Sequence, residues 1–183
     1  MRPLRRLAFA ALFLAPALAV GQTALGGGKR DPMKHFFALG FGDLKAEAAE
    51  ARAAGKRAAF VMYVRDDCSY CERMKRDVLA LAAVQDYYRR EFAVLAIDVR
   101  GAVPVVDFAG RGTTEKSFAA AQGVKLTPTI VFYDFDGRPL ARHAGEIRDA
   151  REFLLLGEFV ASGAYRSGSF AEYKQSAGHR KGS

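Results

Sequence analysis

The feature that most constrains this chain is the spacing of Cys68 and Cys71, the only two cysteines among its 183 residues. Residues 58–64 (AAFVMYV) form a continuous apolar run, which predicts a buried strand. Residues 72–79 have helical composition and spacing, so Cys68 is expected near a helix N-terminus. The partial positive charge at that end of a helix favours a thiolate, the nucleophilic form of cysteine. The pattern therefore indicates a dithiol–disulfide redox site.

A structural disulfide and a metal site are the other uses of such a pair. A disulfide across two intervening residues closes little chain entropy and is a poor structural cross-link. Zinc requires about four ligands, whereas His35, His143 and His179 are scattered without a matching spacing. We therefore expect redox chemistry, no metal ion, and no cofactor beyond the redox-active disulfide.

The first 19 residues have the pattern of an export signal. Three arginines within the first six residues are followed by an apolar stretch at 7–14 and by the small residues of Ala17-Leu18-Ala19. The stretch is shorter than the ~18 apolar residues of a transmembrane helix. We expect cleavage near Ala19, with an uncleaved membrane anchor as the alternative. A flexible, Gly-rich leader is predicted over residues 20–34.

The chain has a formal net charge of +8, and its arginines are spread along the sequence. Such a surface is either simply solvated or steers acidic protein partners towards the molecule. No nucleic-acid-binding motif accompanies the charge, and export argues against such a partner. We therefore expect protein thiols and disulfides as partners, and no nucleic acid.

The remaining pattern predicts alternating helices and strands between residues 35 and 165, followed by a tail over 166–183. His35-Phe36-Phe37 is expected to anchor the start of this domain, and residues 100–112 form a long loop. Asp136-Gly137 is a hairpin signal. In chain order the predicted elements are a helix from Asp43 to Ala54, a strand over 58–64, a helix from Cys68 to Ala80, a helix over 84–90, a strand over 92–99, a helix over 114–122, strands over 129–134 and 140–143, a helix over 149–162 and a short helix over 169–175.

The order of these elements predicts an α/β fold. Strands that alternate with helices form a parallel core, and the hairpin adds an antiparallel edge. We predict a four-stranded mixed sheet with helices on both faces, which is a three-layer α/β/α arrangement.

Three features resemble the thioredoxin fold: Cys68-Ser69-Tyr70-Cys71 after the first core strand, Thr127-Pro128 before the third, and the hairpin before a terminal helix. The resemblance implies a cis Pro128 against the redox pair, with Thr127 beside the sulfurs. It also implies that Cys68, the exposed cysteine, attacks a substrate disulfide and that Cys71 resolves the mixed disulfide. Ser69, Tyr70, Thr127 and Pro128 are then the expected substrate-binding residues.

A narrower resemblance is to the exported, SoxW-like thioredoxins of bacterial sulfur-oxidation clusters. It implies a periplasmic thiol–disulfide reductase that receives electrons from a membrane thiol transporter. Its substrates would be sulfur-oxidation carrier proteins or cytochrome-maturation proteins. The segments that carry this resemblance are 42–45, 55–56, 68–74, 98–101, 153–156 and 170–173.

The chain departs from cytosolic thioredoxins around the cysteines. Asp67 stands in place of a tryptophan, and Ser69-Tyr70 replaces Gly-Pro. The buried aspartate six residues before the first cysteine is here Met62. The proton acceptor for Cys71 is therefore expected elsewhere, with Asp66, Asp67 or water as candidates.

Two other classes of function remain open on the sequence. A disulfide oxidase or isomerase would use the same cysteine pair, but the former usually carries a large helical insertion and the latter a dimerisation domain. Residues 100–112 are too short for such an insertion, and we expect no room for a dimerisation domain. A non-enzymatic thiol-bearing chaperone or metal carrier is the third possibility.

Overall fold

A computed structural model describes residues 28–37 and 42–180. The predicted signal peptide and residues 20–27 of the predicted leader lie outside this range. The described helices are α1 (Pro32–His35), α2 (Leu44–Ala53), α3 (Ser69–Met74), α4 (Ala82–Glu91), α5 (Glu115–Ala121), α6 (Ala150–Ala161) and α7 (Phe170–Arg180). The described strands are β1 (Ala58–Val64), β2 (Phe92–Asp98), β3 (Pro104–Val106), β4 (Gly112–Thr114), β5 (Thr129–Tyr133) and β6 (Pro139–Ala144).

Four strands form the central sheet, in the order β2-β1-β5-β6. β1 and β2 run parallel, with Ala58 opposite Phe92 and Val64 opposite Asp98. β5 runs antiparallel to both β1 and β6. The predicted four-stranded mixed sheet with an antiparallel edge hairpin is therefore confirmed.

The apolar run of β1 is explained by burial of both faces of the sheet. Phe60 and Met62 point into a core with α3, α4 and α6, whereas Val61 and Tyr63 point into a second core with α2 and α5. Successive side chains of a strand point to opposite faces, so a strand covered on both sides has no polar positions. The three layers follow directly from this pattern.

Side-chain caps start three of the predicted helices. The carboxylates of Asp43 and Asp149 each accept a hydrogen bond from the backbone N–H three residues on, at 2.8 Å. The Thr114 hydroxyl caps α5 in the same way, at 3.2 Å. A capping oxygen satisfies an N–H group that has no partner within the helix. These residues therefore mark the helix starts in sequence and structure alike.

The prediction of an irregular loop over residues 100–112 is wrong. β3 and β4 form an antiparallel hairpin there, and the Val106 N–H donates to the Gly42 carbonyl at 2.8 Å. The Asp107 carboxylate closes the turn by accepting from the N–H groups of Ala109 and Arg111, each at 2.9 Å. Strands of three residues have no measurable periodicity, which is why the sequence pattern did not predict them.

The last residues of the predicted leader are held on the domain. Lys29 forms a bridge with Leu81, and the Arg30 N–H donates to the Ala80 carbonyl at 2.7 Å. The Gln85 amide then donates to the Arg30 carbonyl at 3.1 Å. Backbone pairing of this kind leaves no trace in residue composition. The predicted aromatic anchor is confirmed, since Phe36 is fully buried.

Two helices differ from their predictions, one in type and one in extent. The helix that follows Cys68 changes type after Met74 and continues as a π-helical segment over Lys75–Leu79. The tail helix α7 extends to Arg180, and Phe170 packs on Phe159 with ring centroids 5.7 Å apart. None of the helices in the described part of the chain has the length and apolar character needed to cross a bilayer.

Candidate functional site

Cys68 and Cys71 are joined in a disulfide at the start of α3, with Cα atoms 5.2 Å apart. Cys68 is the N-cap of this helix, and its Sγ accepts a hydrogen bond from the Cys71 N–H at 3.1 Å. This bond turns the sulfur back over the first helical turn. As a result Cys68 is only 3% exposed, and Cys71 is fully buried. Cys68 is the more exposed of the two, as expected, although its own side chain is almost completely buried.

The sheet brings Pro128 to the edge that carries the disulfide. Tyr63, near the end of β1, lies opposite Thr129, the first residue of β5. The segment after β1 and the segment before β5 therefore share one edge of the sheet. The Thr127–Pro128 peptide bond is cis, as the resemblance to thioredoxins implied. Pro128 is buried, and its carbonyl accepts from the Gly145 N–H at 2.9 Å.

The segment before Pro128 offers backbone groups to a ligand. The Thr129 hydroxyl donates to the Leu126 carbonyl at 2.7 Å, which folds the chain tightly around the proline. Within the described residues, the backbone of Thr127 pairs with no other backbone group. The side chain of Leu126 is half exposed. This edge thus combines an unpaired peptide unit with an apolar side chain.

The two residues between the cysteines, Ser69 and Tyr70, are both exposed, and Tyr70 has the larger side chain. The Tyr70 side chain is 53% exposed beside the nearly buried disulfide. The Arg73 guanidinium lies over its ring, 5.1 Å from the centroid, which is a cation–π arrangement. The substrate-binding roles of Ser69 and Tyr70 stay predictions.

The two aspartates proposed as proton acceptors are both exposed. The Asp67 carboxylate forms ion pairs with Arg65 and with Arg100, the latter at 3.1 Å. Desolvation acts to raise the pKa of Asp67, but the two guanidinium groups outweigh it and hold the pKa below its usual range. A carboxylate with a lowered pKa is a weaker base. The arrangement therefore favours Asp67 as an anchor for arginine over Asp67 as a proton acceptor.

The position six residues before Cys68 is filled by the thioether of Met62. This side chain is fully buried in the core beneath α3 and α4. A thioether cannot accept a proton at neutral pH. The chemistry of Cys71 therefore does not use the group that cytosolic thioredoxins have at this position.

A cluster that the sequence did not predict lies between α3 and the segment after β6. Arg73 Nε donates to Glu146 Oε2 at 3.0 Å, and Arg148 Nε pairs with Glu146 Oε1. Desolvation acts to raise the pKa of Glu146, but its hydrogen bonds with Arg148 and Arg73 hold the pKa below its usual range. The pairing joins residues that are 73 positions apart. No spacing rule could have found it.

Two other kinds of site were considered in residues 28–37 and 42–180: a metal site and a catalytic histidine. No cluster there of three or more His, Cys, Asp or Glu side chains could hold a metal ion. His143 lies half-buried on the edge strand β6, where burial lowers its pKa. The disulfide and its surroundings are thus the strongest candidate for a functional site.

Comparisons with solved structures agree with this fold. A thioredoxin-fold protein from Helicobacter pylori is 23% identical, with a TM-score of 0.54 over 67% of this chain and 80% of that one. A candidate disulphide-isomerase from Bacteroides thetaiotaomicron is 24% identical, with a TM-score of 0.51 over 73% of this chain and 98% of that one. DsbH oxidoreductase is 14% identical, with a TM-score of 0.51 over 85% of this chain and 95% of that one. No curated protein sequence matches.

The family assignment comes from a sequence model. The model of the thioredoxin-like domain matches residues 44–161, which is well over half of the chain and includes both cysteines and Pro128. The matched region begins with α2 and ends with α6. The chain therefore belongs to the thioredoxin-like domain family.

Proposed function

We propose that the protein is a thiol–disulfide oxidoreductase that reduces disulfides in other proteins. The observation that carries this proposal is the Cys68–Cys71 pair at the N-terminus of α3, on the same sheet edge as cis Pro128. The neighbouring structures support the fold alone. The direction of electron flow is proposed from the resemblance to exported reductases.

The geometry supports a division of labour between the two cysteines. In the reduced protein the Cys71 N–H, now 3.1 Å from Cys68 Sγ, would stabilise a Cys68 thiolate. That thiolate attacks a substrate disulfide, forms a bond to one sulfur and releases the other as a thiolate. Cys71 then loses its proton and attacks Cys68 Sγ, which restores the protein disulfide, breaks the bond to the substrate and releases the second substrate sulfur as a thiolate. Two electrons pass to the substrate, which leaves as a dithiol after taking up two protons.

Location and partners form part of the same proposal. Export by the predicted signal peptide, with cleavage near Ala19, would place the protein in the periplasm. There it would need electrons from a membrane thiol transporter, because an oxidising compartment has no cytosolic reductant. Carrier proteins of sulfur oxidation, or cytochrome-maturation proteins, are the proposed substrates.

The proposal is tested by the reduction potential of the Cys68–Cys71 pair in a protein that starts at residue 20. A reductase should have a potential near about −270 mV, the value for thioredoxin. A potential near about −120 mV, the strong-oxidant end of the same scale, would contradict the proposed direction and support disulfide formation.

Two serine variants test the roles of the cysteines. Cys71→Ser should accumulate a mixed disulfide with a disulfide-bonded test protein, because the attack occurs but the resolution does not. Cys68→Ser should form no such adduct. Equal trapping by both variants, or by neither, would contradict the mechanism. A protein that only binds its partners, without thiol–disulfide exchange, would trap no adduct in either variant.

A further inference from the structure

The cluster of Arg73, Glu146 and Arg148 has more positive than negative charge. One carboxylate is shared by two guanidinium groups, so the cluster has a formal charge of +1. The Glu146 side chain is only 7% exposed, whereas that of Arg148 is 72% exposed. The buried carboxylate thus holds the arginines in place, while the cationic face points to solvent. We call these three residues the arginine cluster.

Neighbouring acidic groups each have a cationic partner outside the cluster. Asp77 lies close enough to interact with Arg73, but its carboxylate pairs with Arg76 at 2.6 Å. Glu72 pairs with Lys75 at 2.8 Å. Each of these pairs is neutral within itself, so the net charge of the arginine cluster stays at +1. An unmatched guanidinium pair held in a fixed orientation suits one further carboxylate.

The arginine cluster adjoins the redox site on the side of cis Pro128. Arg73 lies two residues after Cys71 and contacts the ring of Tyr70. Glu146 follows Gly145, whose N–H donates to the Pro128 carbonyl at 2.9 Å. A substrate segment that reaches the disulfide beside Pro128 therefore passes the cluster.

The surface between the arginines is concave. A pocket of about 80 Å³ opens between them, with an apolar lining from Met74, Val78 and Ile147, and Asp77 also lines it while paired with Arg76. A side chain that enters from the substrate would meet the guanidinium groups at the rim. The pocket gives the cluster a shape as well as a charge.

From this geometry we propose that the protein selects substrates that carry an acidic residue close to their reactive cysteine, and that Arg148 and Arg73 bind this carboxylate. The inference rests on the proposed function and adds a substrate class to it. The carboxylate approaches a cationic surface from water, so the gain resembles that of an exposed ion pair, a rate preference of about two- to five-fold.

The test compares peptides that contain one intramolecular disulfide and differ only by Glu or Gln, placed in turn at the two residues on either side of the cysteines. The rate constant for their reduction by the reduced protein is measured. With the wild-type protein the Glu peptide should react about two- to five-fold faster at one or more positions. With Arg148→Gln this preference should fall to about one. High salt should also abolish it.

Arg138→Gln is the matched control. Arg138 is an exposed arginine that follows the Asp136-Gly137 turn, at the sheet edge opposite the disulfide, and its ion pair with Asp134 is a loose one of 4.0 Å. This variant makes the same change in net charge and should keep the preference. A neutral small disulfide, 2-hydroxyethyl disulfide, should react equally with all three proteins.

The outcomes distinguish failure of the acidic-substrate preference from failure of the proposed oxidoreductase function. Exchange with the neutral disulfide but no preference for Glu at any position would overturn the inference and leave the proposed function intact. Equal loss of preference in Arg148→Gln and Arg138→Gln would also overturn it, because net charge alone would then explain the effect. Exchange with none of the disulfides would overturn the proposed function, and this inference with it.

Discussion

Gly157 is the position where a single methyl group should disturb the core beneath the redox helix. It lies inside α6, where a Cβ atom would stand 2.7 Å from Tyr87 Cε1 and 3.2 Å from Tyr88 Cζ. The Tyr88 hydroxyl donates to the Phe153 carbonyl, one turn earlier in α6, at 2.6 Å. The Tyr88 ring can reach that carbonyl because residue 157 has no side chain.

Two opposing effects decide the sign of Gly157→Ala. Alanine is favoured over glycine inside a helix by about 1 kcal/mol. Overpacking of a close contact costs about 1–3 kcal/mol. The Tyr87 ring is half-buried and can move aside, but Tyr88 is fully buried and stacks on Phe153 with centroids 4.2 Å apart. We expect the second effect to exceed the first, with a net destabilisation of about 1 kcal/mol.

Gly178→Ala is the matched control. Gly178 lies inside α7, and a Cβ atom there would have nothing within 4 Å. Only the helix preference then acts, reduced near the helix end, so we expect stabilisation of up to about 0.5 kcal/mol. Both free energies of unfolding are measured by urea denaturation. A Gly157→Ala protein that is as stable as Gly178→Ala would refute the packing argument.

Two further predictions concern the hairpin turn and the arginine cluster. Gly137→Ala should destabilise the protein by about 1–2 kcal/mol in urea denaturation, because φ is +84° and the new Cβ would lie 2.5 Å from Phe108 Cβ; an unchanged midpoint would contradict this. Glu146 has a lowered pKa in the folded state, so its stabilising effect is present above its unfolded pKa and is lost as the pH falls through the folded value. The difference in melting temperature between wild type and Glu146→Gln should therefore be largest near neutral pH and shrink in acid, and a difference that is independent of pH would count against it.

Much of the fold could be predicted because local signals and tertiary structure agree. The strand over 58–64 is buried on both faces, so every residue in it had to be apolar. Asp43 and Asp149 are caps whose chemistry acts within three residues. Such features depend only on neighbouring residues, and the sequence contains all of that information.

The rest of the fold depends on pairings across the chain. The hairpin at β3 and β4 is held by Gly42 and by the Asp107 turn, and its strands are too short to show periodicity. Residues 29–30 dock through backbone hydrogen bonds, which cannot be inferred from residue composition. The sequence pattern could not have predicted either feature.

The candidate site divides in the same way. Cys68, Cys71 and Pro128 could be located from motifs, because their spacing is fixed by the strand-to-helix junction and by the start of β5. The arginine cluster could not be located in this way, because Glu146 and Arg73 are 73 positions apart and are brought together only by the tertiary structure. Arg100, which binds Asp67 from the loop after β2, was missed for the same reason.

The near-complete burial of the disulfide bears on how substrates are chosen. With Cys68 only 3% exposed, the sulfurs present little surface by which one protein disulfide could be distinguished from another. In the proposed function, selectivity must then come from side chains around the opening, and the exposed groups there include Tyr70, Leu126 and Arg148. An aromatic ring, an aliphatic chain and a cation favour an extended segment with apolar and acidic residues. In the proposed function the cysteines thus determine the reaction, while the exposed side chains around them, including Tyr70, determine the partner.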